Sequence, residues 1–391
     1  MSESSGRAGG KPLSGLRVVD FTRVLSGPYC TALMADLGAD VVKIESPAGD
    51  DYRRVGPFVR GESALFQNVN RGKRSIALDL KTPRAVGIAR ALAETADVVV
   101  ENFRPGVMDK LGLGWTDLHA RNPRLVYVSI SGFGQTGPAV ARPAYDIIVQ
   151  AMSGLMSVTG EPDGPPTMVG EAIADVAGGL FAAWGCMVAL FERQRTGVGR
   201  HVDLALFDAL LAMTPTAACR HLIAGETPVR VGNRHALSAP FGVYRACNGH
   251  FAVAVLNEKL FAIFAGTIGR PDLADHPDFA TDALRRRHEP ALADAIESWA
   301  AELDAADAVA RLNDAGVPAS EIASAPDAWS SDQAAARGLA SAVAHPALGA
   351  VMVPEQPVHF GGAPRGGRRA APALNEHATE ILAEIGWEDR T

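Results

Sequence analysis

At 391 residues the chain is too long for one small hydrophobic core, and the scaling of burial with size calls for two domains or one large domain with an insertion. Apolar residues make up 47% and charged residues 21%, which excludes the composition of a disordered chain. A formal net charge of -7 excludes a global basic field, so no nucleic-acid or membrane partner is expected, and any polyanionic ligand has to be met by a local cluster of Lys and Arg.

The first twelve residues, MSESSGRAGGKP, have no apolar run behind their charges and read as a frayed tail rather than a secretory signal. From there to about residue 150, β-branched runs alternate with helical patterns, the mark of a parallel sheet covered by helices. The runs are 16–21 (LRVVDF), 41–44 (VVKI), 75–78 (SIAL), 97–101 (DVVVE) and 125–130 (LVYVSI), apolar enough for strands covered on both faces. Between them, a helix over 28–37 stops at Gly38, and Thr82 caps a helix that begins at Pro83 and runs to about Thr95. A long apolar helix is predicted from Asp175 to about Gln194. Its stretch 174–191 approaches the length of a membrane span, but it contains Asp175 and several glycines and is expected to be a buried core helix. The strand HVDLAL at 201–206 then leads into a helix with Asp208 near its start.

Near Gly225 the texture becomes polar and turn-rich, followed by short strands (FGVYRA, HFAVAVL) and Ala-rich helices, one of them predicted over 292–315 and stopped by Gly316 and Pro318. A short strand at 349–353, a Gly/Arg/Pro link at 361–371 and a last helix over 376–385 follow. The expected division is a large domain from 1–225 plus 341–391 and a small domain from 226–340. The expected fold class is α/β, a doubly wound large domain with an inserted α+β domain.

Three features invite a chemical reading. Gly132-Phe-Gly134-Gln-Thr-Gly137 follows a strand as a dinucleotide turn does, but Pro138 comes next and the strand is the fifth, not the first of a βαβ unit. It reads instead as a loop whose glycines let backbone approach a ligand. The cluster Asn70-Arg71-Gly72-Lys73-Arg74, with Lys81, Arg104, Lys110 and Arg142, offers cations near strand ends for a phosphorylated ligand. Third, Asp175 enters an almost wholly apolar helix, where the positive end of the helix dipole would favour its anion; it is either an N-cap or a functional carboxylate. Gly178 and Gly179, one turn on, fit a close approach of another backbone or a ligand. The ten histidines show no metal spacing, the sequence holds no G-x-S-x-G, and Cys30, Cys186, Cys219 and Cys247 lie too far apart for a disulfide framework or a zinc site. No metal is expected, and the cysteines fit a reducing cytoplasm.

Several longer blocks occur together and in order: LSGLRVVDFTRVLSGPYCTALMADLGADVVKIESP, NRGKRSIALDLKTP, ADVVVENFRPGVMDKLGL, PRLVYVSISGFGQTGP and the segment around Asp175. On these blocks, which span most of the chain, the sequence resembles the class III coenzyme A transferases, the group of formyl-CoA transferase and carnitine CoA transferase. The resemblance implies a Rossmann-like large domain built from the N-terminal part and the C-terminal tail, an inserted smaller domain, and an interlocked homodimer. It places the catalytic aspartate on Asp175 and the CoA contacts on Val24, Leu25, Ser26, Leu78, Asp79, Leu80, Lys81, Asn102, Phe103, Arg104 and Lys110, with Arg142 and Tyr145 close by. Coenzyme A enters as the acyl-CoA substrate rather than as a tightly bound cofactor, and the partner is a small carboxylic acid acceptor. Ser46 and Leu25 stand where formyl-CoA transferase has an arginine and a glutamine, and its glycine-rich loop has no counterpart between Gly232 and Gly242, so formate or oxalate specificity is not implied.

The implied chemistry needs no ATP or metal. Asp175 attacks an acyl-CoA thioester, an anhydride and CoA thiolate form, and the thiolate returns to the aspartyl carbonyl. Oxyanion donors are expected among the backbone N–H groups near Gly134 to Gly137 and beside Asp175. Two other readings are open: an α-methylacyl-CoA racemase of the same fold and a non-catalytic acyl-CoA-binding homologue. The racemase would need a histidine just before Asp146, where this chain has Tyr145.

Overall fold

A computed structural model describes residues 10–387. Most of the segment expected to be a frayed tail, residues 1–9, lies outside the described residues. Two compact units emerge, one of Met1–Leu155, Met168–Ala224 and Asp332–Thr391, the other of Met156–Thr167 and Gly225–Ser331. They differ from the expected division in giving Met156–Thr167 and Gly225 to the second unit and the stretch from Asp332 to residue 340 to the first.

The first unit is built on six parallel strands: β1 (Arg17–Asp20), β2 (Asp40–Glu45), β3 (Arg74–Ala77), β4 (Val98–Glu101), β5 (Val126–Ser131) and β6 (His201–Ala205), in the order β3-β2-β1-β4-β5-β6. Side chains alternate across this sheet, and both faces are apolar. Val18, Val98, Val100, Val126 and Val128 bury against α1 (Ser26–Asp36) and α3 (Ile173–Thr196). Their neighbours Val19, Val99 and Tyr127 bury on the opposite face against Ile88 and Leu92 of α2 (Pro83–Glu94). Thr82 caps α2, its hydroxyl accepting from the Ala85 N–H at 3.3 Å, as the Thr-Pro start predicted.

The chain end returns to this unit. Ile381, in the helix Ala378–Glu384, is fully buried on the α2 face, and the Ala77 N–H donates to Asn375 Oδ1 at 2.8 Å, covering the edge strand β3. The Gly/Arg/Pro link has no regular structure but is pinned: the Arg368 side chain, 2% exposed, pairs with Asp36 at 3.2 Å and Glu355 at 2.6 Å.

The predicted core helix is α3, and only part of its surface is buried. It is long and apolar enough by length and composition to cross a membrane, and it packs on β5 and α1. Leu180, Trp184, Val188 and Phe191 project from it, 44% to 77% exposed, so full burial was the wrong expectation for this chain taken singly.

The second unit carries a three-stranded antiparallel sheet, in the order Ala319–Glu321, Gly249–Ala254, Phe241–Ala246, over a core of Tyr244, Phe251, Phe261, Phe264, Leu292 and Leu312. The single helix predicted over 292–315 is two, Glu289–Ala300 and Ala305–Asp314. Asp304 is extended between them, and the Ala305 N–H donates to Asn248 Oδ1 at 2.9 Å. The apolar period runs through the break, and Asn248, whose side chain meets the start of the second helix, is more than fifty residues away in sequence.

Candidate active site

In this strand order the connections from β1 and β4 diverge, which opens a crevice at their carboxyl ends. The loop after β1 is held hard. Val24 sits at φ +69, a left-handed conformation that costs a β-branched residue on the order of 1–3 kcal/mol. Asp50 Oδ1 accepts the Val24 N–H at 3.1 Å, and the loops after β1 and β4 are laced together by Arg23 N–H to Asn102 Oδ1 at 3.0 Å and Asn102 Nδ2 to the Arg23 carbonyl at 2.8 Å.

Two adjoining cavities open here, of about 250 Å³ and about 420 Å³, sharing Arg23, Asp51 and Phe103 in their walls. The first is lined by Val24, Leu25, Ser26, Asn102, Phe103, Arg104, Arg142, Tyr145 and Asp175. Leu78, Asp79, Leu80 and Lys81 line the second, again with Phe103. Of the residues expected at the site only Lys110, at the end of the short helix Val107–Lys110, lines neither. Arg23, Asp51 and Arg54 also line these cavities and were not anticipated, although Arg23 directly precedes Val24.

Asp175 lies in the first turn of α3, two residues past Ile173, and is not the N-cap, a position held by Ala172 without a side-chain bond. The carboxylate that satisfies the helix end comes from elsewhere. Asp146 Oδ1 accepts the Ala174 N–H at 2.7 Å and the Asp175 N–H at 3.3 Å, while its Oδ2 accepts from Gln150 Nε2 at 2.7 Å. Asp146 belongs to the helix Asp146–Met152, and Gln150, fully buried, is fixed in turn by the Val169 N–H at 2.9 Å. The dipole therefore does not keep Asp175 acidic as expected. Burial first, and then the nearby Asp146 carboxylate, push the Asp175 carboxyl up to about 7, against a hydrogen bond from the Ser26 hydroxyl that pulls it down.

Glycines make that Ser26 contact possible. A Cβ on Gly179 would stand 2.7 Å from the Ser26 carbonyl oxygen and 3.0 Å from the Tyr29 ring, and one on Gly178 would stand 2.2 Å from Leu206. Only glycine lets α1 and α3 approach this closely.

A pH prediction arises from the pairing of Asp146 with Asp175. In Asp146→Asn the amide oxygen still accepts the helix N–H groups, but the like charge is gone, so the Asp175 carboxyl should ionise at lower pH. The acid limb of kcat/KM against pH should move down with it. Glu101, raised by burial to about 7 and accepting the Phe103 N–H at 2.9 Å, titrates in the same range under the other loop and should stay put. A limb that does not move would show that Asp146 only caps the helix.

Two expectations fail. Arg71, Lys73 and Arg74 are not phosphate cations; they are buried in ion pairs with Asp36 at 2.7 Å, Asp20 at 3.0 Å and Asp40 at 2.6 Å. Several of the expected oxyanion donors are also engaged: the Gly134 N–H donates to Ser131 Oγ at 2.9 Å, the Gln135 N–H to Asp203, and the N–H groups beside Asp175 to Asp146, which leaves the Thr136 and Gly137 end of the loop for that role. Gly132 instead serves packing, since a Cβ there would fall 2.3 Å from Ala144 Cβ.

The profile of CoA-transferase family III matches residues 13–378. The acetyl-CoA:oxalate CoA-transferase of Acetobacter aceti is 43% identical over 96% of this chain and 96% of its own. The succinate–glutarate CoA-transferase of Agrobacterium fabrum is 39% identical over 97% of each. A CAIB/BAIF family protein from Brucella suis, solved as a crystal structure, superimposes with a TM-score of 0.85 at 39% identity, covering 96% of this chain and all of that one.

Proposed function

The chain belongs to CoA-transferase family III, and from that premise we propose that it moves coenzyme A between carboxylic acids through a thioester on Asp175. The observation that carries this reading is the Asp175 carboxylate, which pairs with no cation among the described residues, is set in the wall of the crevice and is poised by burial to ionise near pH 7.

The steps balance without an outside reagent. Ionised Asp175 attacks the thioester carbonyl, the C–S bond breaks, and CoA thiolate leaves behind an aspartyl mixed anhydride. The thiolate attacks the aspartyl carbonyl, expelling the donor acid as a carboxylate and forming the aspartyl-CoA thioester. The acceptor carboxylate attacks that carbonyl, thiolate leaves again, and it then takes the acceptor's acyl carbon from the new anhydride, returning Asp175 to its starting state. Bond energy of the thioester is carried from one acid to the other throughout.

Coenzyme A lies, in this reading, across both cavities: Lys81 and Arg54 face its phosphates in the larger one, and its thioester reaches Asp175 in the smaller. The exposed apolar face of α3 supports a homodimer, interlocked as the resemblance implies, in which a second copy covers Trp184 and Phe191. The free, exposed thiols of Cys219 and Cys247 support a reducing cytoplasm.

Trapping tests the mechanism. Incubation with an acyl-CoA and borohydride or hydroxylamine should modify Asp175 and no other carboxylate, as read by peptide mass. A protein left unmodified by a broad panel of CoA thioesters, with deuterium washing into the α-carbon of a branched acyl-CoA, would make it a racemase.

A further inference from the structure

The apolar runs of β4, β5 and β6 end in a polar row that the transfer steps do not use. Glu101 is in register with Ser129 and Ser129 with Asp203, so the three side chains lie side by side on the α2 face, at the carboxyl ends of neighbouring strands. The two outer members each seat a loop of the crevice: Glu101 Oε2 accepts the Phe103 N–H at 2.9 Å, and Asp203 accepts the Gln135 N–H at 3.1 Å. Ser129 sits between them. Its hydroxyl donates to Glu101, and its Oγ lies 3.0 Å from His201 Nε2. A hydroxyl has one proton to give, so Ser129 is left to accept from the Nε2–H of His201. Trp115 stacks on that imidazole at 5.7 Å and steadies it.

Phe103 is where this row meets the ligand. Its side chain is in the wall of both cavities, and its neighbours Asn102 and Arg104 line the smaller one, whereas Glu101 lines neither. Glu101 is 4% exposed, and no cation acts on it among the described residues. Burial brings its carboxyl up to about 7, aided by the Asp109 and Asp203 charges and opposed by the bonds from Ser129 and the Phe103 N–H. Tyr127 on β5 is the other titratable group beside it. An ionised carboxylate holds an N–H more strongly than a protonated one does.

Resting on coenzyme A lying across both cavities, we propose that Glu101 is a positioning residue for coenzyme A: with Ser129 and His201 behind it, its carboxylate locks the Asn102-Phe103-Arg104 turn in the shape that receives the ligand. Glu101 touches no reacting atom and acts only through the Phe103 peptide. A turn that is not locked has to be ordered when coenzyme A arrives, and that cost is subtracted from affinity. The effect therefore falls on binding and on KM, and it spares kcat.

The test titrates coenzyme A into the full-length protein by calorimetry from pH 5.5 to 8.5 and compares the parent with Glu101→Gln, so that titration of the ligand and of Asp175 cancels in the ratio. Glu101→Gln should bind about 10-fold more weakly at pH 8.5, where the parent carboxylate is ionised, and the two proteins should converge at pH 5.5, where it is protonated. In transfer assays the loss should appear in KM for acyl-CoA, with kcat within about 2-fold of the parent. Ser129→Ala removes a bond that favours the ionised form and should shift the weakening of binding to higher pH, and Ser129→Thr should restore the parent curve. These two variants carry the test if Glu101→Gln does not fold. A Glu101→Gln protein that matches the parent at every pH would overturn the proposal. So would one weaker by the same factor throughout, which would make Glu101 a part of the scaffold alone. The expected pH dependence in a protein that is never trapped at Asp175 would remove the transferase reading and leave this proposal standing.

Discussion

Replacing Asp175 by asparagine is expected to abolish transfer and to make the protein more stable at alkaline pH. An amide cannot attack a thioester to give an anhydride, so kcat/KM should fall by at least about 10⁴-fold, and Asp175→Ala should do the same. The stability gain follows from linkage. The Asp175 carboxyl is raised from an ordinary value of 3.8 to about 7, so between those values the folded protein holds a proton that the unfolded chain has released. Its favourable contribution is complete below pH 3.8 and is lost as pH rises through 7, after which the fold carries a poorly solvated anion. Three units at about 1.4 kcal/mol each give on the order of 4 kcal/mol, and relaxation should leave about 2 to 4 kcal/mol. An asparagine never ionises and escapes this cost.

Denaturation midpoints of Asp175→Asn and the parent should therefore coincide near pH 4 and separate progressively up to pH 7, with no further divergence above it. A difference that is flat with pH, or a variant that is less stable at pH 8.5, would show that Asp175 is not desolvated as its surroundings indicate. The paired result would mark Asp175 as a residue kept for chemistry against stability. An N-cap aspartate would give the opposite sign, since removing its charge weakens the helix.

Much of the first unit was legible because the five marked runs are apolar on both alternating faces and alternate with helical patterns, as the strands of a covered parallel sheet do. The sixth strand, His201–Ala205, was marked as well and lies at the sheet edge. What failed was charge. Arg71, Lys73 and Arg74 look like a phosphate cluster until their partners are known, and Asp36, Asp20 and Asp40 lie 35, 53 and 34 residues away. Local pattern cannot tell a solvated cation from one neutralised across the fold. The same blindness left open for Asp175 the capping role that Asp146 fills, 29 residues earlier in the chain.

That buried charge sets up the second large effect: Lys43→Met is expected to cost about 3 to 5 kcal/mol at neutral pH, although methionine fills nearly the same space. Lys43 has no exposed side-chain surface. Its Nζ lies 2.9 Å from Asp50 Oδ2 and donates to the Thr22 carbonyl at 2.7 Å. Around it Asp20 and Glu45 are buried too, Asp20 pairing with Lys73 at 3.0 Å and Glu45 with Arg53 at 2.6 Å. Burial alone would raise all three carboxyls, but the lysines and Arg53 outweigh it and hold each below its ordinary value. Stability from these depressed carboxyls is present above 3.8 to 4.5 and lost as pH falls through their folded values. Without Lys43 the burial is less well opposed, the carboxyls rise, and the variant is hurt most where they are forced to ionise. The gap in thermal midpoint between parent and variant should then be widest near pH 7.5 and narrow towards pH 4. Asp50→Asn added to Lys43→Met should recover part of the loss by removing the stranded charge. Transfer should suffer as well, because Asp50 Oδ1 is what holds Val24 in its left-handed conformation at the mouth of the site. A Lys43→Met protein within about 1 kcal/mol of the parent at pH 7.5 would mean that this ion pair does no more than balance its own desolvation, leaving the loop to be held by other contacts.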